Sequence, residues 1–159
     1  MNSEPQPGAA DLDADIESRA LAVLENPNNA EAYLRLGQIL RLKGMHAEAI
    51  NAFEAAAALD FEGNWYELAT VLEENRQISG AMAVWRKRLQ FLDGLRPGQD
   101  YVANASVKLH QQAHLNKEIG RHAAAADLFA AQGNAVYALA EFKAAVACWL
   151  TANKVRVQP

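Results

Sequence analysis

Two stretches of this chain repeat each other at a fixed distance, and that repetition limits the fold more than any other feature. Tyr33, Leu36, Gly37 and Leu40 are followed by Ala49 and Phe53; thirty-two residues on, Trp65, Leu68, Ala69 and Leu72 are followed by Ala81 and Trp85. Sixteen residues separate the opening aromatic from the small residue in both copies. Spacings of three and four place the large residues of each leading segment on one stripe of a helix. A glycine or alanine inside that stripe lets a second helix cross closely. A hairpin of this kind cannot bury both faces alone, so such units must stack.

The rest of the chain agrees with an all-α fold. Alanine, leucine, glutamate and arginine dominate, β-branched residues are sparse, and apolar residues recur at helical intervals. The pattern predicts about eight helices, over 12–25, 30–43, 46–59, 63–75, 78–92, 100–118, 121–132 and 135–152. Asn26-Pro27-Asn28-Asn29 ends the first and offers caps to the second. Lys43-Gly44 and Gln132-Gly133-Asn134 are tight glycine turns, and Asp93 to Gly98 reads as one longer loop. Short connections make neighbouring helices antiparallel. Residues 1–10, with two prolines and a glycine, read as a disordered tail, 11–152 as one helical domain, and 153–159 as a second tail.

The pattern aromatic-x2-Leu-Gly/Ala-x2-large followed by Ala-x3-aromatic resembles the tetratricopeptide repeat (TPR) family. The two best repeats cover 30–61 and 62–95; the region 100–152 is similar but irregular, and 12–25 looks like the closing half of a preceding repeat. In that region two copies overlap. One is Leu109, Ala113, Asn116, Gly120, Ala125 and Phe129; the other is Gly133, Ala138 and Phe142, standing as Gly44, Ala49 and Phe53 do. They share the helix 121–132, so both cannot be complete. The resemblance implies a superhelix of α-α hairpins whose leading helices line a concave groove.

Mapped residue by residue, the resemblance implies groove positions at Leu34, Arg35, Gln38 and Arg41, then Tyr66, Thr70 and Glu73, then His110, His114 and Lys117. The lysine and asparagine clamp with which some members hold a C-terminal carboxylate is not met. Leu34 and Tyr66 stand where its lysines would, Gln38 and Thr70 where its asparagines would. What remains is a mixed surface: leucine and tyrosine supply apolar contact, arginine and tyrosine are favoured at interface hot spots, and the arginines alternatively just face solvent.

No motif for chemistry accompanies this surface. The chain has no glycine-rich phosphate loop, no Gly-x-Ser-x-Gly elbow and no His-Glu-x-x-His pair. Cys148, the single cysteine, sits on an apolar helix as a buried thiol would, and it leaves no partner for a disulfide. His110 and His114 share a helix face, but the sequence offers no third and fourth ligand, so no metal or cofactor is expected. These points predict a non-enzymatic protein-interaction module, an adaptor or assembly subunit that binds a protein or peptide. The alternative is a targeting or substrate-binding chaperone for an apolar client segment.

Charge and hydropathy frame the partners. A net charge of −4 argues against nucleic acid as the main ligand, despite Arg86-Lys87-Arg88. Met1 to Gly8 lacks the features of a secretory signal, and the most apolar segment, Ala135 to Leu150, is interrupted by Glu141 and Lys143; no membrane contact and a cytoplasmic location are therefore expected. That last helix is apolar almost all round, from Val136 and Tyr137 to Trp149 and Leu150, so it should be buried on several sides, with self-association or docking to a partner able to cover it.

Overall fold

Asparagine and aspartate side chains cap the starts of two helices in the first half. The Asn29 side-chain oxygen accepts from the backbone N–H groups of Glu31 and Ala32 at 3.1 and 3.3 Å, and Asp60 Oδ1 accepts from Gly63 N–H at 3.2 Å. A computed structural model of the chain describes residues 8–94 and 106–153, with side chains at 8, 11–92, 94 and 114–152. These residues form seven helices and no strand: α1 (Ala9–Glu25), α2 (Ala30–Leu42), α3 (His46–Leu59), α4 (Phe61–Glu74), α5 (Ile78–Gly94), α6 (Ser106–Ala131) and α7 (Ala135–Asn153). Most of both expected tails and most of the expected loop at 93–98 lie outside the described residues; α1 already begins at Ala9 and α5 runs through Gly94.

The chain divides into two compact units, Met1–Arg76 and Gln77–Pro159. The division falls between the two helices of the repeat read over 62–95, so α4 is described with the first unit and α5 with the second. In the first unit, successive helices α1 to α4 pack on their chain neighbours. Its core is the stripe that the repeat spells out: Leu40, Ala49, Ile50, Phe53, Ala56, Leu68, Ala69 and Leu72 are all buried. Gly37 is small for a geometric reason, since a Cβ there would stand 2.8 Å from Phe53 Cδ1 and Cε1. The buried Asn64 donates to Asp60 O at 2.7 Å and to Ala56 O at 3.4 Å, tying the start of α4 to the end of α3.

The second unit places α7 against both α5 and α6. Leu89 and Leu92 of α5, Ile119 and Ala126 of α6, and Phe142, Ala145 and Val146 of α7 form one buried cluster, with Trp85 and Trp149 packed at its edge. Cys148 is partly buried against the same cluster. The nearly uniform apolarity of α7 is thus absorbed in part by two neighbours, while Val136, Tyr137 and Leu150 remain exposed.

The helix count differs from the expected eight at one place. The segments read as 100–118 and 121–132 are a single helix, α6. Gly120 does not end it, because nothing there imposes the left-handed turn that follows α2 and α4 and that closes α6 itself at Gly133; the positive-φ glycines among the described residues are Gly44 and Gly133. Helix formers on both sides carry the backbone through. The overlapping-copy ambiguity therefore resolves for the fourth copy. Gly44 (φ 80°) and Gly133 (φ 75°) close α2 and α6 with the same pair of bonds: Gly44 N–H to Arg41 O and Met45 N–H to Leu40 O (3.0 and 2.9 Å), against Gly133 N–H to Ala130 O and Asn134 N–H to Phe129 O (3.0 and 2.8 Å). Ala138 and Phe142 are then buried as Ala49 and Phe53 are, with Ala126 in the place of Gly37.

Candidate partner-binding surface

The residues mapped to the groove fall into two groups. Leu34, Arg35, Gln38 and Arg41 lie on α2 and Tyr66 and Thr70 on α4, all in the first unit; His110, His114 and Lys117 lie on α6 in the second. Helical rows place the first four on one face of α2, and Arg41 links that face to α4. Its Nε donates to Glu74 Oε2 at 2.7 Å, its Nη2 reaches Glu74 Oε1, and its Nη1 lies 3.5 Å from Glu67 Oε2. The fork against Glu74 is the two-point geometry that arginine forms with a carboxylate. Hydrogen bonding to Arg41, with its charge, holds the Glu74 carboxyl below its ordinary pKa, and the same bond raises that of Arg41. The guanidinium therefore serves as a strut between leading helices of successive repeats.

The other α2 and α4 positions face outward to different degrees. Arg35 is exposed and holds Glu31 Oε1 at 2.7 Å along its own helix, an i to i+4 pair that solvent screens. Gln38 is exposed and Leu34 half-buried. Tyr66 presents 59% of its surface to solvent, with its ring edge-on to Trp65 at 5.5 Å between centroids. Thr70 is half-buried and donates back to Tyr66 O at 2.8 Å. The α2 and α4 faces together give an aromatic ring, a leucine and an amide flanked by ion pairs.

On α6, His114 and Lys117 are exposed; the side chain of His110 lies outside the described ones. Among the described residues no group of three or more His, Cys, Asp or Glu side chains is placed to hold a metal. Sequence reasoning missed Glu67 and Glu74 as partners of Arg41. The repeat held the signal, because a step of thirty-two residues from Arg41 lands on Glu73, beside Glu74. It also missed the contact between His122 Nδ1 and Glu141 Oε2 at 2.5 Å, which joins α6 to α7. His122 occupies the place that Tyr33 holds in α2.

Two solved structures, both crystal structures of MamA, superpose on the chain. One is 21% identical with a TM-score of 0.51 and covers 90% of this chain and 71% of its own; the other is 18% identical with a TM-score of 0.52 and covers 94% and 69%. The fold is TPR-like. At these identities the likeness establishes the TPR-like fold alone. No protein-family model matches the sequence, and no curated protein matches it. Among the described residues one helix, α7 over Ala135–Ala152, is long and apolar enough to cross a membrane by length and composition. That finding goes past the sequence expectation, which took Glu141 and Lys143 as sufficient interruption. The packing of α7 on α5 and α6 gives its apolar residues a second use in the TPR-like core.

Proposed function

We propose that the chain is a non-enzymatic interaction module that holds a protein segment on the joined faces of α2 and α4. The observation that carries the reading is the exposed Tyr66 on α4, a helix that the Arg41–Glu74 pair ties to α2 and its Leu34 and Gln38. A rigid, half-apolar ring at the centre of a preformed polar surface is the arrangement that concentrates binding energy. Adaptor or assembly-subunit roles, and a cytoplasmic place of action, belong to the same proposal.

The test compares capture of partners by the wild-type chain, by Tyr66→Ala and by an Arg35→Glu/Gln38→Glu variant. Loss of a stoichiometric partner in folded variants supports the reading; retention by all of them refutes this surface. Arg41 is left intact, because reversing its charge would set three carboxylates against one another and disturb the fold. A chaperone for an apolar client is a second reading, favoured by Leu128, Val136 and Tyr137, exposed around the turn between α6 and α7. It predicts a partner that exchanges rapidly and is lost in Val136→Asp/Tyr137→Ser.

A further inference from the structure

Charge is divided between the two units far more sharply than the net value discloses. Met1–Arg76 holds 14 acidic residues against 5 basic ones, a formal −9, while Gln77–Pro159 holds 5 acidic against 10 basic, a formal +5. Each unit shows its sign on a leading helix. On α4, Glu62, Tyr66 and Glu73 share one face, and α4 contains no basic residue. On α6, His114, Lys117 and Arg121 follow at intervals of three and four, all exposed, and Leu128 continues the row. Arg121 keeps 68% of its side chain in solvent while its Nη2 holds Glu118 Oε2 at 2.7 Å.

A molecule with oppositely charged halves meets a second copy of itself as a complementary surface, each acidic half facing a basic one. The two rows also match in length: Glu62 to Glu73 spans about 16 Å along its helix and His114 to Leu128 about 21 Å. Each carries one large exposed side chain, Tyr66 or Leu128, to bury beside the charges.

We propose that copies of the chain associate head to tail, the acidic α4 face of one seating the basic α6 row of the next. The proposal rests on the reading of the α4 face as a binding surface and names a second copy as its occupant. Such a contact is heterologous, so each copy keeps one free acidic and one free basic face and assembly continues into chains or rings. The two faces pair opposite charges at a rim, so salt should dissolve the assembly.

Sedimentation of the full chain over a range of concentrations and salt tests this. At low ionic strength the average mass should climb above 17.3 kDa with concentration. It should return to that value at about 1 M salt, where the screening length is about 3 Å. Lys117→Glu/Arg121→Glu and Glu62→Lys/Glu73→Lys should each weaken self-association by about tenfold or more. Mixed together, these two variants still offer one intact acidic and one intact basic face. The two reversed faces complement each other too, so the mixture should regain the self-association that each variant alone has lost. A wild-type mass fixed at 17.3 kDa at every concentration overturns the proposal, as does assembly that both variants retain. A foreign partner lost by Tyr66→Ala would in either case leave the surface itself standing, which separates this failure from failure of the binding reading.

Discussion

Gly37→Ala is the sharpest probe of the repeat packing, because two opposed effects of known size meet in one methyl group. Alanine in a helix is favoured over glycine by about 1 kcal/mol. Against that, the new Cβ would stand 2.8 Å from two ring carbons of Phe53 and 3.0 Å from a third. Carbon atoms pack at about 3.5–4.0 Å, so the ring or the helix must retreat by roughly 0.7 Å or more. Phe53 is fully buried and its ring is rigid, which leaves α3 to move. Overpacking of this kind costs about 1–3 kcal/mol. The balance is a net destabilisation of about 1 kcal/mol, or roughly 2–4 °C in the midpoint for a chain of this length. Urea unfolding followed by far-ultraviolet circular dichroism, and by Trp65 fluorescence in a Trp85→Phe/Trp149→Phe background, measures it in the first unit. Phe53→Leu alone should destabilise by opening a cavity, but in combination with Gly37→Ala the two losses should fall short of their sum by about 0.5–1.5 kcal/mol. A Gly37→Ala protein that gains about 1 kcal/mol, or a double variant whose losses simply add, would refute the close-crossing argument.

Four further outcomes follow from the same geometry. Gly120→Ala, where a Cβ meets nothing within 4 Å, should raise stability by about 0.5–1 kcal/mol in the same unfolding assay. Arg76 takes the left-handed turn position (φ 58°) that glycine fills after α2 and α6, so Arg76→Gly should stabilise by about 1 kcal/mol while Gly133→Ala destabilises by a similar amount. Glu74 has a folded pKa below its unfolded value, so the stability it contributes is complete above its ordinary carboxylate range and is lost as pH falls through the lower folded value; Arg41→Ala should flatten that acid limb and cost about 0.5–1 kcal/mol near neutral pH, read from midpoints across an acid titration. Asn64→Ala removes the side-chain bonds to Asp60 O and Ala56 O in a buried position and should cost about 1–3 kcal/mol by denaturant titration.

The sequence disclosed the hairpins wherever turn chemistry and apolar spacing agreed. Gly44 and Gly133 are true turns, each with a positive φ and a small residue five positions on. Gly120 is followed by Ala125 at the same spacing, yet the helix runs through it. Composition could not separate these cases; the backbone angle did. The surface was legible in position but not in use. Spacing placed Arg35 and Arg41 on one face, yet only the neighbouring helix shows that Arg41 is committed to Glu67 and Glu74 while Arg35 pairs within α2. Interhelical pairing depends on which rows of two helices meet, a property that a one-dimensional pattern holds only through the repeat period.

The segment 121–131 carries two grammars at once. Its Ala125 and Phe129 follow the spacing of a second helix, while Ala126, packed with Phe142 in one cluster, makes it a first helix in the structure. A stretch competent in both roles is a seam at which a repeat array can lengthen. Copying 121–152 in tandem would insert a further hairpin whose own two helices already match each other as α6 and α7 do.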